Sequence, residues 1–240
     1  MKVTRGKLIV VEGTDCSGKE TQTNLLIEKL RETGIQIEKF SFPNYDSPTG
    51  KIVGGPYLGK EYICDGWFDE GASNVDPKVA SLYYAADRKY NIPIINELLN
   101  SGKNIILDRY VFSNMAHQGG KIHNRTERSK MYKWIERLEF DLMELPKPDI
   151  AVFLHMPYEG ACILKKDRKE GADQHEASEY HLKNAELSYV EIANKYNFKT
   201  IECMEGTTIK TIDTIGEEVY SYIITKLDEK TKMLIKKNNK

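Results

Sequence analysis

Residues 7–30 read KLIVVEGTDCSGKETQTNLLIEKL, an apolar run followed by a glycine-bounded loop and then a helical pattern. Lys7–Glu12 is a candidate strand, because its run Leu8-Ile9-Val10-Val11 is short and β-branched, which is typical of a buried parallel strand. Thr21–Thr33 has the periodicity of a helix. Between them, Gly13–Lys19 has the composition of a loop that holds linked phosphates through its backbone N–H groups, the helix N-terminus and the lysine.

The same alternation of strand and helix continues along the chain. Further candidate strands are Gln36–Phe40, Asn104–Asp108, Asp149–His155 and Lys199–Cys203. Two more helical patterns are Pro77–Ser101, in which a break is expected near Pro93, and Thr126–Glu144, which Pro146 closes. This order predicts an α/β fold with a parallel sheet between layers of helices.

Composition and charge narrow the functional classes. The chain has 240 residues, of which 40% are apolar, and its 35 Lys+Arg are balanced by 36 Asp+Glu. These values predict one globular domain over residues 1–240 and argue against a small disulfide-stapled scaffold or a basic coat for nucleic acid. No apolar run approaches the ~18 residues of a membrane span. Together with four widely spaced cysteines, this favours a cytoplasmic protein with reduced thiols.

Three segments are expected to lie outside the core. They are a charged lid over about 162–179, the glycine-rich Thr49–Gly71, which is expected to be a mobile excursion, and a lysine-rich tail over about 226–240. The tail is read as a solvated helix end, with a nucleic-acid or membrane arm as the alternative.

Glu20 stands where the Ser or Thr that ligates Mg²⁺ usually follows the lysine, and Thr21 comes one place later. Because Mg²⁺ accepts carboxylate oxygen, we expect Glu20 to hold the ion directly or through water. The alternative is that Glu20 pairs with Lys19 and weakens phosphate binding.

Further charged residues lie where a sheet of this class binds ligands. Asp108 ends a strand and can order Mg²⁺ or its waters, while Arg109 can grip a phosphate with its planar guanidinium. A plain strand-end ion pair is the alternative. Tyr84 and Arg88, on a helix, offer an aromatic face and another guanidinium, or else a core aromatic residue beside a surface arginine.

Taken together, these motifs resemble the thymidylate (dTMP) kinases, a family of nucleoside monophosphate kinases. The resemblance covers most of the chain and rests on Glu12-Gly13-Thr14-Asp15 with Gly18-Lys19, Phe42-Pro43 with Pro48-Thr49-Gly50, Ala86-Asp87-Arg88, 108–119 and 145–149. It implies the P-loop NTPase three-layer α/β/α fold, a central parallel sheet flanked by helices with a short mobile lid. It also implies ATP as co-substrate, Mg²⁺, phosphorylation of dTMP to dTDP, and a homodimer.

The resemblance assigns roles to individual residues. ATP would be held by the loop residues Gly13, Thr14, Asp15, Cys16, Ser17, Gly18, Lys19, Glu20 and Thr21. The dTMP pocket would comprise Asp15, Phe42, Pro43, Tyr84, Arg88, Arg109, Ser113, Asn114, His117 and Gln118. In that pocket Asp15 would meet the sugar 3′-OH, Tyr84 would stack on thymine, and Asn114 and Gln118 would lie along the base edge. Arg88 would hydrogen-bond a base carbonyl, and Arg109 would bind the acceptor phosphate. The expected catalytic residues are Lys19, Asp108, Arg109 and Arg168, and the expected metal ligands are Glu20 and Asp108.

Besides Glu20, and besides Asn44-Tyr45 after Phe42-Pro43, where some relatives have a phosphate-binding arginine, two positions depart from the family pattern. Many relatives have a catalytic arginine in the phosphate loop, where this chain has Cys16, so Arg168 in the lid is expected to supply that charge. Arg168→Ala should therefore lower kcat by ~10³-fold or more with little change in dTMP affinity. A near-normal kcat in a steady-state assay would sink this role and leave Arg168 on a solvated loop. At the second position, His117 replaces a tyrosine that excludes ribonucleotides, which leaves the preference for deoxyribose open.

Other side chains are expected to have ordinary packing or surface roles, namely His155, His175, His181 and Cys162. The interpretation favoured is a cytoplasmic dTMP kinase that depends on ATP and Mg²⁺. The alternatives are a phosphate-loop kinase for another acceptor, a nucleotide-binding module without turnover, and a nucleic-acid-binding protein that uses the lysine tail.

Overall fold

The computed structural model describes residues 4–165 and 179–227. Its central sheet has five parallel strands in the order β2-β3-β1-β4-β5. The strands are β1 (Leu8–Gly13), β2 (Ile37–Ser41), β3 (Asn104–Asp108), β4 (Ile150–His155) and β5 (Lys199–Glu202). Each predicted strand is confirmed, with bounds that differ by at most one residue. A short antiparallel hairpin, β6 (Met204–Glu205) with β7 (Thr208–Ile209), follows the sheet.

Helices cover both faces of this sheet. They are α1 (Lys19–Glu32), α2 (Pro48–Ile52), α3 (Pro77–Asn100), α4 (Val111–Gly120), α5 (Arg125–Glu136), α6 (Tyr158–Lys165), α7 (Glu179–Lys195) and α8 (Ile212–Lys226). Two π-helical turns, Val53–Tyr57 and Arg137–Leu142, continue α2 and α5. The predicted three-layer α/β/α architecture is confirmed.

The side chains of the strands alternate between two apolar cores. Leu8, Val10 and Leu107 face the layer of α3, α4, α5 and α7. Ile9, Val11 and Ile106 face the opposite layer, which α1 and α8 dominate. All six side chains are buried, and burial on both faces explains why the strands are apolar throughout rather than alternating with polar residues.

Two helix predictions are wrong in detail. The break expected near Pro93 does not occur, because α3 runs unbroken from Pro77 to Asn100. Pro93 is exposed, so the carbonyl that loses its donor faces water. The helix predicted over Thr126–Glu144 is α-helical only to Glu136 and widens into the π-helical turn beyond it.

The predicted excursion over Thr49–Gly71 is also wrong for its first half. Those residues form α2 and the following π-helical turn, and Val53 and Tyr57 are fully buried in a third apolar cluster with Ala72 and Ala80. The glycines reflect close packing here, because a Cβ on Gly50 would meet the backbone of Asn44 at 1.8 Å.

The other two expected excursions lie mainly outside the described residues. Residues 162–165 complete α6 and Glu179 begins α7, while residues 166–178, which include Arg168 and His175, are not described. Of the tail, only Lys226 and Leu227 fall within the described part of the chain. Within that part, no helix is long and apolar enough to cross a membrane.

The carboxyl ends of β1, β3 and β4 lie side by side. Val11 is in register with Asp108, and Gly13 with Leu154. In an open α/β sheet this edge is where ligands bind, particularly where successive connections leave a strand in opposite directions. Here β1 is that strand, because the chain continues to β2 and β3 on one side and returns to β4 on the other.

Candidate active site

The loop between β1 and α1 closes tightly around the lysine side chain. Lys19 Nζ donates to the carbonyls of Gly13 at 3.0 Å and Thr14 at 2.8 Å. Gly13 admits no side chain, since a Cβ there would meet Ser17 Oγ at 2.5 Å and Leu154 O at 2.9 Å. Gly18 takes a φ of 73°, which glycine adopts without strain. The loop is therefore shaped by its glycines before any ligand binds.

A threonine joins this loop to the neighbouring strand. Thr14 Oγ1 donates to the carbonyl of Met156 at 2.7 Å and accepts from the Met156 N–H at 2.9 Å. Because Met156 directly follows β4, this pair fixes the loop relative to the sheet edge.

Lys19 is buried, and its charge is sensitive to its neighbours. Burial and the positive charge of the adjacent Arg109 together lower the pKa of Lys19 to about 8, although Asp15, Asp108 and Glu12 oppose the shift. An anion bound at the loop would favour the charged lysine, as is expected of a phosphate site.

Glu12, at the end of β1, organises the start of α4. Its carboxylate is fully buried and accepts from the Tyr110 N–H at 2.8 Å, the Ser113 N–H at 3.1 Å and Ser113 Oγ at 2.5 Å. Burial raises the pKa of Glu12, whereas these hydrogen bonds and Arg109 and Lys19 lower it. Sequence reasoning included Glu12 in a motif but gave it no role, because nothing in the sequence places it against α4.

Arg109 lies between the β1–α1 loop and residues of α4 and α7. Its backbone has a φ of 65°, in the left-handed region that most side chains avoid. The guanidinium donates to Asp15 Oδ1 at 3.2 Å and to the Tyr189 hydroxyl at 3.4 Å. Although burial would raise the pKa of Asp15, the positive charges of Arg109 and Lys19 and the hydrogen bond from Arg109 hold it below its ordinary value. The carboxylate of Asp15 and the guanidinium of Arg109 are therefore both ionised at neutral pH.

A cleft of about 400 Å³ opens beside these groups. Its lining includes most of the predicted nucleotide and metal residues, namely Asp15, Cys16, Ser17, Gly18, Lys19, Glu20, Thr21, Asp108 and Arg109, together with Leu164. Glu20 and Asp108 thus border one cavity although they are far apart in sequence. Carboxylate oxygens suit Mg²⁺, so these two residues fit the metal role expected of them. No group of three or more potential metal ligands occurs among the described residues, so any ion would complete its shell with phosphate and water.

His117 and His181 form a stacked pair at the edge of the site. Their ring centroids are 5.4 Å apart, and His117 Nδ1 lies 3.2 Å from His181 Nε2. His117 Nε2 lies 3.5 Å from the Arg109 guanidinium, which can only donate. Burial lowers the pKa of His117 well below its ordinary value. Asp15 raises this pKa, but the charges of His181, Arg109 and Lys19 lower it further. His117 is therefore neutral at pH 7.

The segment after β2 is joined to α3 by a buried aspartate. Asp87 accepts from the Asn44 N–H at 2.8 Å and from the hydroxyls of Ser47 and Thr49, each at 3.0 Å. These hydrogen bonds fix to α3 the residues that directly follow the Phe42-Pro43 bond, which is cis. Phe42 is buried, with its ring centroid 6.1 Å from that of Tyr110.

Beyond this segment, α3 and α4 present a wall of polar side chains. Tyr84 is half-buried with its ring edge-on to Tyr57. Arg88 is buried and directs two of its nitrogens at Glu139, a residue that sequence reasoning did not single out. Asn114 and Gln118 are buried with side-chain atoms that have no hydrogen-bond partner, namely Asn114 Oδ1 and both Gln118 Nε2 and Oε1. Unpaired buried polar atoms are costly, so those of Asn114 and Gln118 call for a partner such as a ligand or an ordered water.

Comparison with known proteins identifies relatives of the whole chain. The family model for thymidylate kinase matches residues 11–210. A thymidylate kinase of Schizosaccharomyces pombe is 31% identical over 225 residues, which cover 93% of this chain and 92% of that protein. The human thymidylate kinase is 32% identical over 179 residues, 75% of this chain and 72% of that protein. The solved thymidylate kinase of Candida albicans, described as having broad substrate specificity, superposes with a TM-score of 0.69 at 29% identity, covering 92% of both chains.

Proposed function

Because this chain belongs to the thymidylate kinase family, we propose that the cleft at the carboxyl end of its sheet transfers the γ-phosphoryl group of ATP to dTMP. The protein phosphorylates dTMP to dTDP. The observation that supports the assignment to this cleft is that Lys19, Asp108 and Arg109 line one cavity.

On the donor side, the loop between β1 and α1 holds the phosphates of ATP. Its backbone N–H groups and the N-terminus of α1 provide a positive end, and Lys19 supplies a full charge. Phosphoryl transfer needs positioning and charge neutralisation more than a covalent protein group. Accordingly, no side chain here acts as a nucleophile.

Glu20 and Asp108 are proposed to hold Mg²⁺ beside the phosphates of ATP. Both border the cleft that Lys19 lines, and their oxygens suit the ion. When bound, Mg²⁺ supplies charge neutralisation at the β- and γ-phosphate oxygens. The protein's part would be to place the carboxylates of Glu20 and Asp108 in the cleft where they would hold the ion.

On the acceptor side, Arg109 is proposed to bind the phosphate of dTMP and Asp15 its 3′-hydroxyl. The ion pair between Arg109 and Asp15 holds both side chains at the mouth of the cleft. The base would lie against Tyr84, bounded by Phe42 and Pro43, with Arg88, Asn114 and Gln118 along its edge. Ser113 and His117 complete this side. The unpartnered buried atoms of Asn114 and Gln118 support a polar ligand there.

Arg168 is proposed as the residue that supplies the remaining cationic charge. It belongs to the segment that lies outside the described residues, between α6 and α7. The leucine that precedes this segment, Leu164, lines the phosphate cleft, which supports a lid at this location.

The protein is further proposed to be a cytoplasmic homodimer. A line of exposed apolar side chains runs along α3, namely Val79, Leu82, Tyr90 and Ile94, with Leu142 beyond it. Contiguous exposed apolar surface of this kind is typical of an interface. The cytoplasm suits the four cysteines, all in the described part of the chain and none in a disulfide.

The acceptor is tested by ADP release in a coupled assay. ATP and Mg²⁺ are offered with dTMP, dUMP, UMP, dGMP or thymidine in separate reactions. The proposal expects a clear preference for dTMP, at a turnover of at least ~1 s⁻¹. ATP binding without stimulation by any acceptor would instead identify a nucleotide-binding module, and comparable turnover of UMP would show that His117 admits ribose.

A further inference from the structure

We propose that Glu139 is a positioning residue of the base pocket, which holds Arg88 and orients the Asn114 amide so that the pocket selects a pyrimidine with a carbonyl beside an N–H. This inference rests on the proposed function, since it concerns the pocket assigned to the base of dTMP.

Glu139 lies in the π-helical turn Arg137–Leu142 and is completely buried. Its carboxylate makes a two-pronged contact with Arg88, from Nε to Oε2 at 2.5 Å and from Nη2 to Oε1 at 2.7 Å. Both side chains are almost fully excluded from solvent. Two parallel hydrogen bonds of this type fix the plane of the guanidinium as well as its position.

The same carboxylate also fixes Asn114. Asn114 Nδ2 donates to Glu139 Oε1 at 2.9 Å, the same oxygen that accepts from Arg88. An ionised carboxylate only accepts hydrogen bonds, so the NH₂ end of the amide must face Glu139. A second contact, from Asn114 Nδ2 to the carbonyl of Ser81 at 3.3 Å, requires the same orientation.

This orientation decides what the pocket offers a ligand. With Nδ2 engaged, Asn114 Oδ1 is left buried and without a partner, as an acceptor that needs a donor. Arg88 is a donor at every nitrogen, and Glu139 takes only two of them. One turn further along α4, Gln118 is buried with both amide atoms unpartnered. The wall therefore combines a fixed acceptor with a fixed donor.

That polarity matches one kind of pyrimidine edge. Thymine and uracil present a C4 carbonyl beside an N3–H, which complement a guanidinium and an amide oxygen respectively. Cytosine presents an amino group beside an unprotonated N3, so each of its atoms would meet a group of the same polarity. Sites built around buried hydrogen bonds reject such mismatches strongly, because the buried groups are left unpaired.

A purely structural role for Glu139 would predict something different. A buried ion pair can add little to the free energy of unfolding, because the cost of removing its charges from water can match their Coulombic attraction. If Glu139 only packed the core, its replacement would affect all nucleotides alike through loss of folded protein. A positioning role instead changes the preference between bases and leaves turnover of the bound complex less affected.

The test compares dTMP with dCMP in the wild type and in Glu139→Gln. Glutamine has the same size, but its amide nitrogen only donates and cannot replace the oxygen that accepts from both Arg88 and Asn114. The Asn114 amide is therefore expected to turn over, so that its oxygen faces residue 139. We expect kcat/KM for dTMP to fall ~10–100-fold, mainly through KM, and the ratio of dTMP to dCMP to fall at least ~10-fold. Glu136→Gln is the matched control. That carboxylate lies three positions earlier and accepts from the Tyr196 hydroxyl, outside the pocket, so its ratio should stay unchanged.

A second variant keeps the test decisive if Glu139→Gln fails to fold. Asn114→Ala removes the oriented amide without touching the ion pair, and it should also lower the dTMP to dCMP ratio at least ~10-fold. In the double variant the two losses should be clearly less than additive, because Glu139→Gln acts partly through Asn114 and otherwise only through Arg88. An unchanged ratio in a folded Glu139→Gln or Asn114→Ala protein, or additive losses in the double variant, would overturn the inference alone. A wild type that phosphorylates neither nucleotide would overturn the proposed function, and the inference with it.

Discussion

At the level of single residues, the site is built around two cations in one cleft. The charge of Arg109 helps lower the pKa of Lys19, while Asp15 pairs with Arg109 and keeps it in place. Two phosphorylated ligands would relieve this repulsion, because each brings negative charge to one of the cations. The apo site is therefore arranged to gain from binding donor and acceptor together.

Glu20 gives a direct prediction about the metal. Glu20→Gln keeps the shape of the side chain but removes the negative charge beside the phosphates. We expect the Mg²⁺ concentration for half-maximal rate to rise ~10-fold or more, in the range seen when groups that support a metal are removed. Initial rates across a Mg²⁺ titration measure this. Glu28→Gln, an exposed change on the same helix, is the control; an unaltered Mg²⁺ dependence for Glu20→Gln would exclude the carboxylate as a ligand.

Residues that act through local sequence could be predicted, and residues that act through tertiary contacts could not. Gly13–Lys19 is a contiguous loop, so its shape follows from its own glycines and the helix after it. By contrast, Glu139 meets Arg88 from 51 positions away and Asn114 from 25. Glu12 likewise reaches Ser113 across 101 positions. The sequence therefore does not distinguish Glu139 from the other carboxylates of its charged helix, because its partners meet it only in the folded protein.

At the level of elements, the close approach of α4 and α7 sets the geometry of the side of the cleft that is proposed for the acceptor. α4 carries Ser113 and His117, while α7 carries His181 and Tyr189. Ser113 Oγ lies 2.8 Å from the Tyr189 hydroxyl, which joins the helices next to Glu12. Small residues at the end of α4 allow this approach.

Gly120 tests that approach. A Cβ at Gly120 would lie 2.9 Å from Ala185 N and 3.0 Å from Asn184 C, which are backbone atoms of α7. We expect Gly120→Ala to lower the free energy of unfolding by ~1–3 kcal/mol, as over-packing does, and to weaken dTMP binding as the helices separate. Gly216→Ala in α8 is the control, because its Cβ would meet only the end of the Gln22 side chain. Chemical denaturation of both variants measures the difference, and equal stabilities would contradict a tight contact between α4 and α7.

His155 gives a prediction about pH. It lies between Glu186 of α7 and Glu202 of β5, at 3.1 Å and 2.8 Å, with the Phe153 ring stacked beside it. Its hydrogen bond to Glu186 raises the pKa of His155, and the charge of Glu202 adds to this against partial burial. A raised folded-state pKa stabilises the protein fully below the unfolded pKa of about 6.5, and the gain is lost as pH rises through the folded-state value.

Consequently, His155→Gln should cost more stability at pH 5.5 than at pH 8.5. The difference is expected to be at most ~1 kcal/mol, because solvent screens part of the interaction. Unfolding free energies of wild type and variant at both pH values measure it. A cost that is the same at both values would mean that the charge on His155 contributes nothing.

Elements were predicted unevenly for a physical reason. The five strands are buried on both faces, so their apolar runs stand out. The helices α7 and α8 bury one face each and carry many charged residues, which leaves a weaker signal. The wide turn at Arg137–Leu142 has no local signature, because side chains from α3 and α4 decide which residues face inward there.

At the level of the whole molecule, the exposed face of α3 predicts self-association. Leu82→Glu places a charge in the middle of this face, where the wild-type leucine is 47% exposed. We expect the wild type to sediment as a dimer and Leu82→Glu as a monomer of unchanged fold. Ile212→Glu, at an apolar position on α8 that is 56% exposed, is the control and should remain dimeric. A wild type that is monomeric at micromolar concentrations would contradict the homodimer.

Transfer of the γ-phosphoryl group from ATP to dTMP in this cleft can be followed in a single turnover with γ-labelled ATP. With excess enzyme, Mg²⁺ and dTMP, we expect the label to appear in dTDP in one phase, and we expect Arg109→Lys to slow this phase ~10²-fold. Label that appears in inorganic phosphate, or that stays in ATP while dTMP is bound, would show that the cleft does not transfer the group to dTMP.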